Sequence, residues 1–254
     1  MNAADLISKV CEKYSTCTSY RDRGVLRTSV ECWGEVHFET FYLAPKNLLV
    51  RFVYGPQDKP IQTETFWSNG TEQFVHTSGT VEKCEKLKDE VDFFAFGLAT
   101  LFEFEVPMLL IPEARQFAGR LSHCSELSAV SKSKNDFVLQ HDRDSGEHLL
   151  KSAFEAVIDS KSLQVKSTKT VETYSSMPAD MFPAFTGQPA AAAPVKTAML
   201  RTAGTSTPKL LLLFGKPNVF PLQSISTECI YDEVRFDDKI PANLFAFRPA
   251  ANAK

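Results

Sequence analysis

The feature that most restricts this chain is an alternation of apolar and polar residues with a period of two, which recurs in short segments along much of its length. In residues 35–42, Val36, Phe38, Thr40 and Tyr42 alternate with Glu35, His37 and Glu39. Successive side chains of a strand point to opposite faces, so this segment predicts a strand with one apolar and one wet face. A turn at Ala44-Pro45-Lys46-Asn47 leads to a second apolar strand at 48–54, and the pair reads as a hairpin. Residues 61–67 alternate again, and Ser68-Asn69-Gly70 carries the Asn-Gly pair that favours a tight turn before a strand at 72–77. Strand signals resume at 136–140, 149–158, 163–174 and 225–236, with turns at Ser145-Gly146 and at 159–162. Many short alternating strands in one chain predict a mainly β (α+β) fold, a curved sheet or barrel.

Three segments break the alternation. Leu6, Ile7, Val10, Cys11 and Tyr14 recur at spacings of one, three and four, which predicts an N-terminal amphipathic helix over 3–14. Residues 93–102 are apolar nearly all round and about three helical turns long, so a helix inserted into the β meander is expected there, ending before Pro107. Met108-Leu109-Leu110-Ile111 then forms a short apolar segment between Pro107 and Pro112. Residues 177–194 hold four prolines, one glycine and the run Ala190-Ala191-Ala192-Ala193, and read as a loop. The organisation expected is one domain over residues 1–254 with a Pro/Ala-rich insertion at about 175–223.

Charge and composition narrow the function classes. With 28 Lys and Arg against 31 Asp and Glu, nothing electrostatic favours a nucleic acid as partner. The 20 Phe residues bring large apolar area without a polar handle, and predict a big core, a lined cavity or both. No stretch approaches the roughly 20 apolar residues that a membrane-spanning helix needs. The start lacks the basic and apolar regions of a secretory leader, and fits a chain from which one has been removed. Six cysteines at irregular spacings include no C-x-x-C pair; Cys11 and Cys17 could bridge, isolated buried thiols being the favoured alternative.

Chemistry-bearing motifs are sparse. The cluster at 141–148, with Asp142, Asp144 and Glu147, lacks the length and final Glu of a calcium loop and reads as a solvated hairpin turn. His123 and Cys124 are adjacent, and on a strand they would point to opposite faces. Glu103 and Glu105 read as the solvent-side end of the apolar helix rather than as paired catalytic carboxylates. No G-x-S-x-G elbow, phosphate-cradling loop or H-E-x-x-H pair occurs. The expectation is a protein that is not an enzyme and uses no metal or cofactor.

The order of these pieces carries a resemblance. An N-terminal helix, the Gly34 to Pro45 strand and turn, Trp67-Ser68-Asn69-Gly70, the apolar helix, Pro107-Met108-Leu109-Leu110 and the closing Leu244-Phe245-Ala246-Phe247-Arg248-Pro249 together resemble the LolA/LolB-like superfamily of lipoprotein carriers. The resemblance implies an incompletely closed antiparallel half-barrel with helices forming a lid over its concave face. It implies non-enzymatic binding or transport of a lipid, an acyl chain or an acylated protein, in the periplasm or outside the cell, with a membrane-associated protein as a further partner. Val36, Phe38, Tyr42, Val50, Phe52 and Phe66 would line the cavity. Phe93, Phe94, Leu98, Leu101, Met108 and Leu109 would belong to its lid. The carriers hold an arginine just before the turn proline as a latch, where this chain has Ala44, whose parity with Phe38 and Tyr42 turns it toward the cavity. A structural or protein-interaction module of the same fold, its interior filled by its own side chains, is the alternative.

Overall fold

The computed structural model describes residues 2–28, 35–55, 60–79, 82–87, 105–113, 121, 129–144, 149–174 and 223–246. Helix α1 (Ala3–Thr16) opens the chain. Strands β1 (Ser19–Thr28), β2 (Glu35–Leu43), β3 (Asn47–Tyr54), β4 (Gln62–Asn69), β5 (Gln73–Gly79) and β6 (Lys83–Lys86) follow. Next come helix α2 (Glu105–Leu110), β7 (Ala129–Lys132), β8 (Asp136–Asp144), β9 (Leu149–Asp159), β10 (Val165–Tyr174), β11 (Gln223–Phe236) and a 3-10 turn at Ala242–Phe245.

All eleven strands join one sheet in the order β6-β5-β4-β3-β2-β1-β11-β10-β9-β8-β7. Every pairing is antiparallel. Two meanders thus flank β11, which returns to lie between β1 and β10. Among the described residues β6 and β7 remain at opposite edges, so the sheet is open. From β4 to β8 a flat sheet would span about 34 Å at ~4.8 Å per strand, yet Phe66 of β4 and Phe137 of β8 belong to the same buried cluster as α1. A helix is only about 10–12 Å across, so the sheet must curl for so short a cover to serve both halves. The fold is the expected curved, open antiparallel sheet with few helices.

Register sorts the residues between faces. Phe38 lies opposite Phe52, Tyr42 opposite Leu48, and Val50 opposite Phe66, so these six share the inner face. Leu49 and Trp67 pair on the outer face, where Ile240 and Phe245 cover them in a second, smaller cluster. Leu244 and Phe245, which open the closing motif 244–249, therefore pack on the convex side, and Phe247, Arg248 and Pro249 lie outside the described residues.

Local chemistry explains the helices. The side chain of Asn2 caps α1 by accepting from the backbone N–H of Asp5 at 2.8 Å, with Asp5 in the first turn and Lys13 in the last. Leu6, Ile7, Val10 and Tyr14 form its buried stripe. Helix α2 includes Pro107, where the sequence predicts a stop. A proline in the first turn removes no intrahelical bond, because the leading N–H groups have no partner within the helix. The lid helix expected at 93–102, with Phe93, Phe94, Leu98 and Leu101, lies outside the described residues, as do His123, Cys124 and the segment 175–222. No disulfide joins Cys11 to Cys17, and Cys17, Cys84 and Cys229 are free thiols.

The β1–β11 ladder slips by one residue between Arg23 and Gly24, leaving Asp232 as a bulge. Gly24 is required there: an added Cβ would lie 2.0 Å from the carbonyl oxygen of Ile230 and 2.6 Å from Cζ of Phe38. The ring of Phe38 thus occupies the space that a side chain at 24 would need.

Candidate functional site

Among the described residues the inner face carries the larger of the apolar clusters. Of the residues predicted to line it, Val36, Phe38, Tyr42, Val50, Phe52 and Phe66 are all buried there, none more than 3% exposed. Met108 and Leu109, on α2, are buried in the same cluster. Tyr20, Leu26, Cys229, Tyr231, Phe154, Ala156 and Ile158 extend it across the other half of the sheet. Its cover, among the described residues, is α1 and α2, which touch each other and bury Leu6, Ile7 and Val10 against the strands. Phe38 packs edge-on to Tyr231 at 5.4 Å and Phe52 edge-on to Phe66 at 6.0 Å, so the covered face is closely packed.

Ala44 corrects the sequence expectation. β2 ends at Leu43, and Ala44 is exposed in the turn, where its N–H donates to the Thr18 carbonyl at 2.9 Å. Strand parity stops at the last residue of the strand, so it does not extend to position 44. Glu105 is a second correction. It is not on a solvent-side end but 1% exposed, and its carboxylate accepts from the backbone N–H of Leu121 at 3.0 Å. A buried carboxylate survives by serving an N–H that would otherwise be unsatisfied.

The inner face also holds a polar centre beneath α1. The hydroxyl of Tyr20 donates to Oδ2 of Asp22 at 2.6 Å, both being buried. Thr40 lies directly across the β1–β2 ladder from Asp22, near its carboxyl but without hydrogen-bond geometry between Oγ1 and Oδ1. From α1, Tyr14 lays its ring against Tyr20 at 5.5 Å, and its hydroxyl oxygen accepts from the backbone N–H of Val165 on β10 at 3.0 Å. Burial pushes the Asp22 carboxyl up to about 7, outweighing the Tyr20 hydroxyl and Thr40, which favour its charge. Burial likewise raises the phenols of Tyr14 and Tyr20. Toward β4, Glu64 accepts from the Tyr54 hydroxyl at 2.9 Å and the Gln62 amide at 3.0 Å, and burial raises it too.

Tyr14→Phe would leave the Val165 N–H without its acceptor in a dry site. It is expected to lower stability by about 1–3 kcal/mol, read from the urea-unfolding midpoint. An unchanged midpoint would show that the bond contributes nothing.

No family model matches this chain, and no curated protein is similar to it. Among solved structures, it is similar to the crystal structure of the LolA superfamily protein NE2245 from Nitrosomonas europaea, at 9% identity and a TM-score of 0.36. The likeness covers 96% of this chain and 97% of that one.

The polar centre went unnoticed in the sequence, although a signal was present. Tyr20, Asp22, Gly24 and Leu26 share one strand face, so Asp22 is aligned with apolar neighbours. Of the solvated turn expected over 141–148, residues 141–144 instead continue β8, which pairs with β9 from Asp136–Asp159 to Asp144–Lys151, and 145–148 lie outside the described residues. A cleft of about 440 Å³ opens where β10 and β11 part beyond the Ser167–Ile230 pair, lined by Gln164, Lys166, Glu228 and Asp232 above Val165 and Tyr231. Among the described residues no helix is long and apolar enough to cross a membrane, and no group of three His, Cys, Asp or Glu side chains is placed to hold a metal.

Proposed function

We propose that this chain binds a lipid or an acyl chain, free or attached to a protein, on the inner face of its sheet, and performs no chemistry on it. The observation that carries the reading is the pairing of a largely apolar face, broken by one polar centre, with a cover of two helices. In this reading α1 swings away about its two-residue link to β1, Cys17-Thr18. Lifting would expose Val36, Phe38, Tyr42, Val50, Phe52 and Phe66. An acyl chain taking the place of α1 would gain roughly 0.8 kcal/mol per buried methylene without polar contacts. A periplasmic or secreted location, with a membrane-associated protein handing over the ligand, fits this use.

A second reading has its own support. Leu6, Val10, Phe52, Met108 and Leu109 are fully buried in one close-packed cluster, as the self-filled core of an interaction module would be.

Native mass spectrometry of the purified protein, with lipid extraction and titration by a fluorescent fatty-acyl probe, separates the two. Bound acyl species and probe uptake, both lost in Phe38→Asp, are expected from a binder. A ligand-free protein that takes up no probe would sink that reading in favour of the module.

A further inference from the structure

We propose that α1 is a proton-controlled cover: it stays seated on the inner face while Asp22 carries a proton, and loss of that proton to solvent favours its release. The inference deepens the lipid-binding reading, on which its meaning as a gate rests. The geometry beneath the helix supports it in three ways. First, Asp22 is 4% exposed on the inner face of β1, in a cluster whose cover includes the buried stripe of α1. Second, α1 is attached to the sheet here by a specific polar contact, the Val165 N–H to Tyr14 hydroxyl bond, beside the Tyr20–Asp22 bond. Third, the groups facing the carboxyl offer no opposite charge. They are Tyr14 on α1, Tyr20 on β1, Thr40 with Glu39 behind it on β2, and Tyr231 beside Cys229 on β11. Asp22 forms no salt bridge among the described residues. From α2, Glu105 is occupied by the Leu121 N–H.

An ionised carboxylate in such a site has lost its hydration and gained only one strong donor, the Tyr20 hydroxyl. Lifting α1 returns water to it. The sign follows from linkage. With α1 seated, the carboxyl keeps its proton up to about 7; with α1 lifted and water admitted, it ionises near the ordinary carboxylate value of about 4. Between these values the seated form holds one proton more than the lifted form, so seating weakens as pH rises and levels off above about 7. One linked proton changes the opening equilibrium by up to about tenfold per pH unit, or about fiftyfold between pH 5 and pH 7, where the slope is already levelling off.

Hydrogen exchange of the full chain, read by mass spectrometry and corrected for intrinsic exchange, tests this on peptides from α1, with β3 peptides as the internal reference. The expected result is a loss of α1 protection of about fiftyfold over that range, with α1 less protected than β3 at every pH, because α1 opens without the fuller unfolding that exposes β3. Asp22→Asn should abolish the pH slope while Glu64, which burial also raises, is left in place. If Asp22→Asn does not fold, Tyr20→Phe serves instead: removing the donor to the carboxylate should move the midpoint to higher pH. An α1 protection independent of pH in the wild-type chain, or an unchanged slope in Asp22→Asn, overturns the proposal. Uptake of a fluorescent fatty-acyl probe at both pH values separates it from the underlying function. Opening of α1 with no uptake at either pH upholds the proton control and sinks the lipid reading. Equal uptake at both pH values overturns the gate.

Discussion

Gly24→Ala is expected to destabilise the protein by about 3 kcal/mol, close to the upper end for overpacking a core, because the atom met first is backbone. A Cβ at 24 would lie 2.0 Å from the carbonyl oxygen of Ile230, which cannot rotate aside as a side chain can. The second obstacle, Cζ of Phe38 at 2.6 Å, is the end of a ring that is 1% exposed and wedged against Tyr231. Relief requires β11 to move away from β1 at the bulge, and that seam joins the two meanders. The urea-unfolding midpoint reads the effect, and a change below about 0.5 kcal/mol, the scatter of ordinary surface substitutions, would show that the bulge yields freely.

Phe52→Ala is expected to cost about 3–5 kcal/mol, the range for removing a fully buried aromatic ring when its surroundings cannot collapse. Phe52 is 0% exposed, meets Phe66 edge to face, and lies across the ladder from Phe38. The size of the loss reports on the seated state of the cover. A packed inner face gives the full cost, whereas a loosely covered one, already reached by water, gives about 1 kcal/mol. The variant also tests the proposed function. If the face accepts acyl chains, a saturating fatty-acyl probe raises the thermal midpoint of Phe52→Ala as it does that of the parent chain, since a ligand that prefers the folded state stabilises it by an amount that grows with the logarithm of its concentration relative to its Kd. No shift in either protein would count against binding.

The Asp22 proposal and these two substitutions concern one surface. Phe38 connects them, since its ring closes over Gly24 on the same face that carries Asp22 two residues earlier. A face built this way has two ways to be uncovered: by loss of packing, which Phe52→Ala measures, and by ionisation at its centre, which the exchange experiment measures.

How far the residues alone predict these features varies by segment. The hairpins of β2 with β3 and β4 with β5 were legible because a half-buried strand must alternate and because Asn69 and Gly70 suit a tight turn, Gly70 adopting φ 86° and Asn69 accepting three hydrogen bonds from Thr71 and Glu72. β6 and β7 were not legible. Lys83-Cys84-Glu85-Lys86 carries no apolar alternation, and four residues are too few for a period to show. Helix α2 was obscured by Pro107, which reads as a stop unless its place in the first turn is known.

The sequence by itself determined which residues of each strand share a face and which stripe of α1 is apolar, because both follow from the local geometry of two repeating backbones. Only the tertiary structure decided what those faces meet: that α1 covers the inner face, that the C-terminal turn covers the outer one, and that Ala44 falls beyond the strand. It alone placed Asp22 beside Tyr20 and beneath α1, turning one acidic residue among 31 into the buried polar centre of the face that the cover hides. The reason is physical: a side chain's direction is set by its own backbone, whereas its solvation and charge state depend on residues distant in the chain. Val165 is 151 positions from Tyr14, a separation over which no local period carries information.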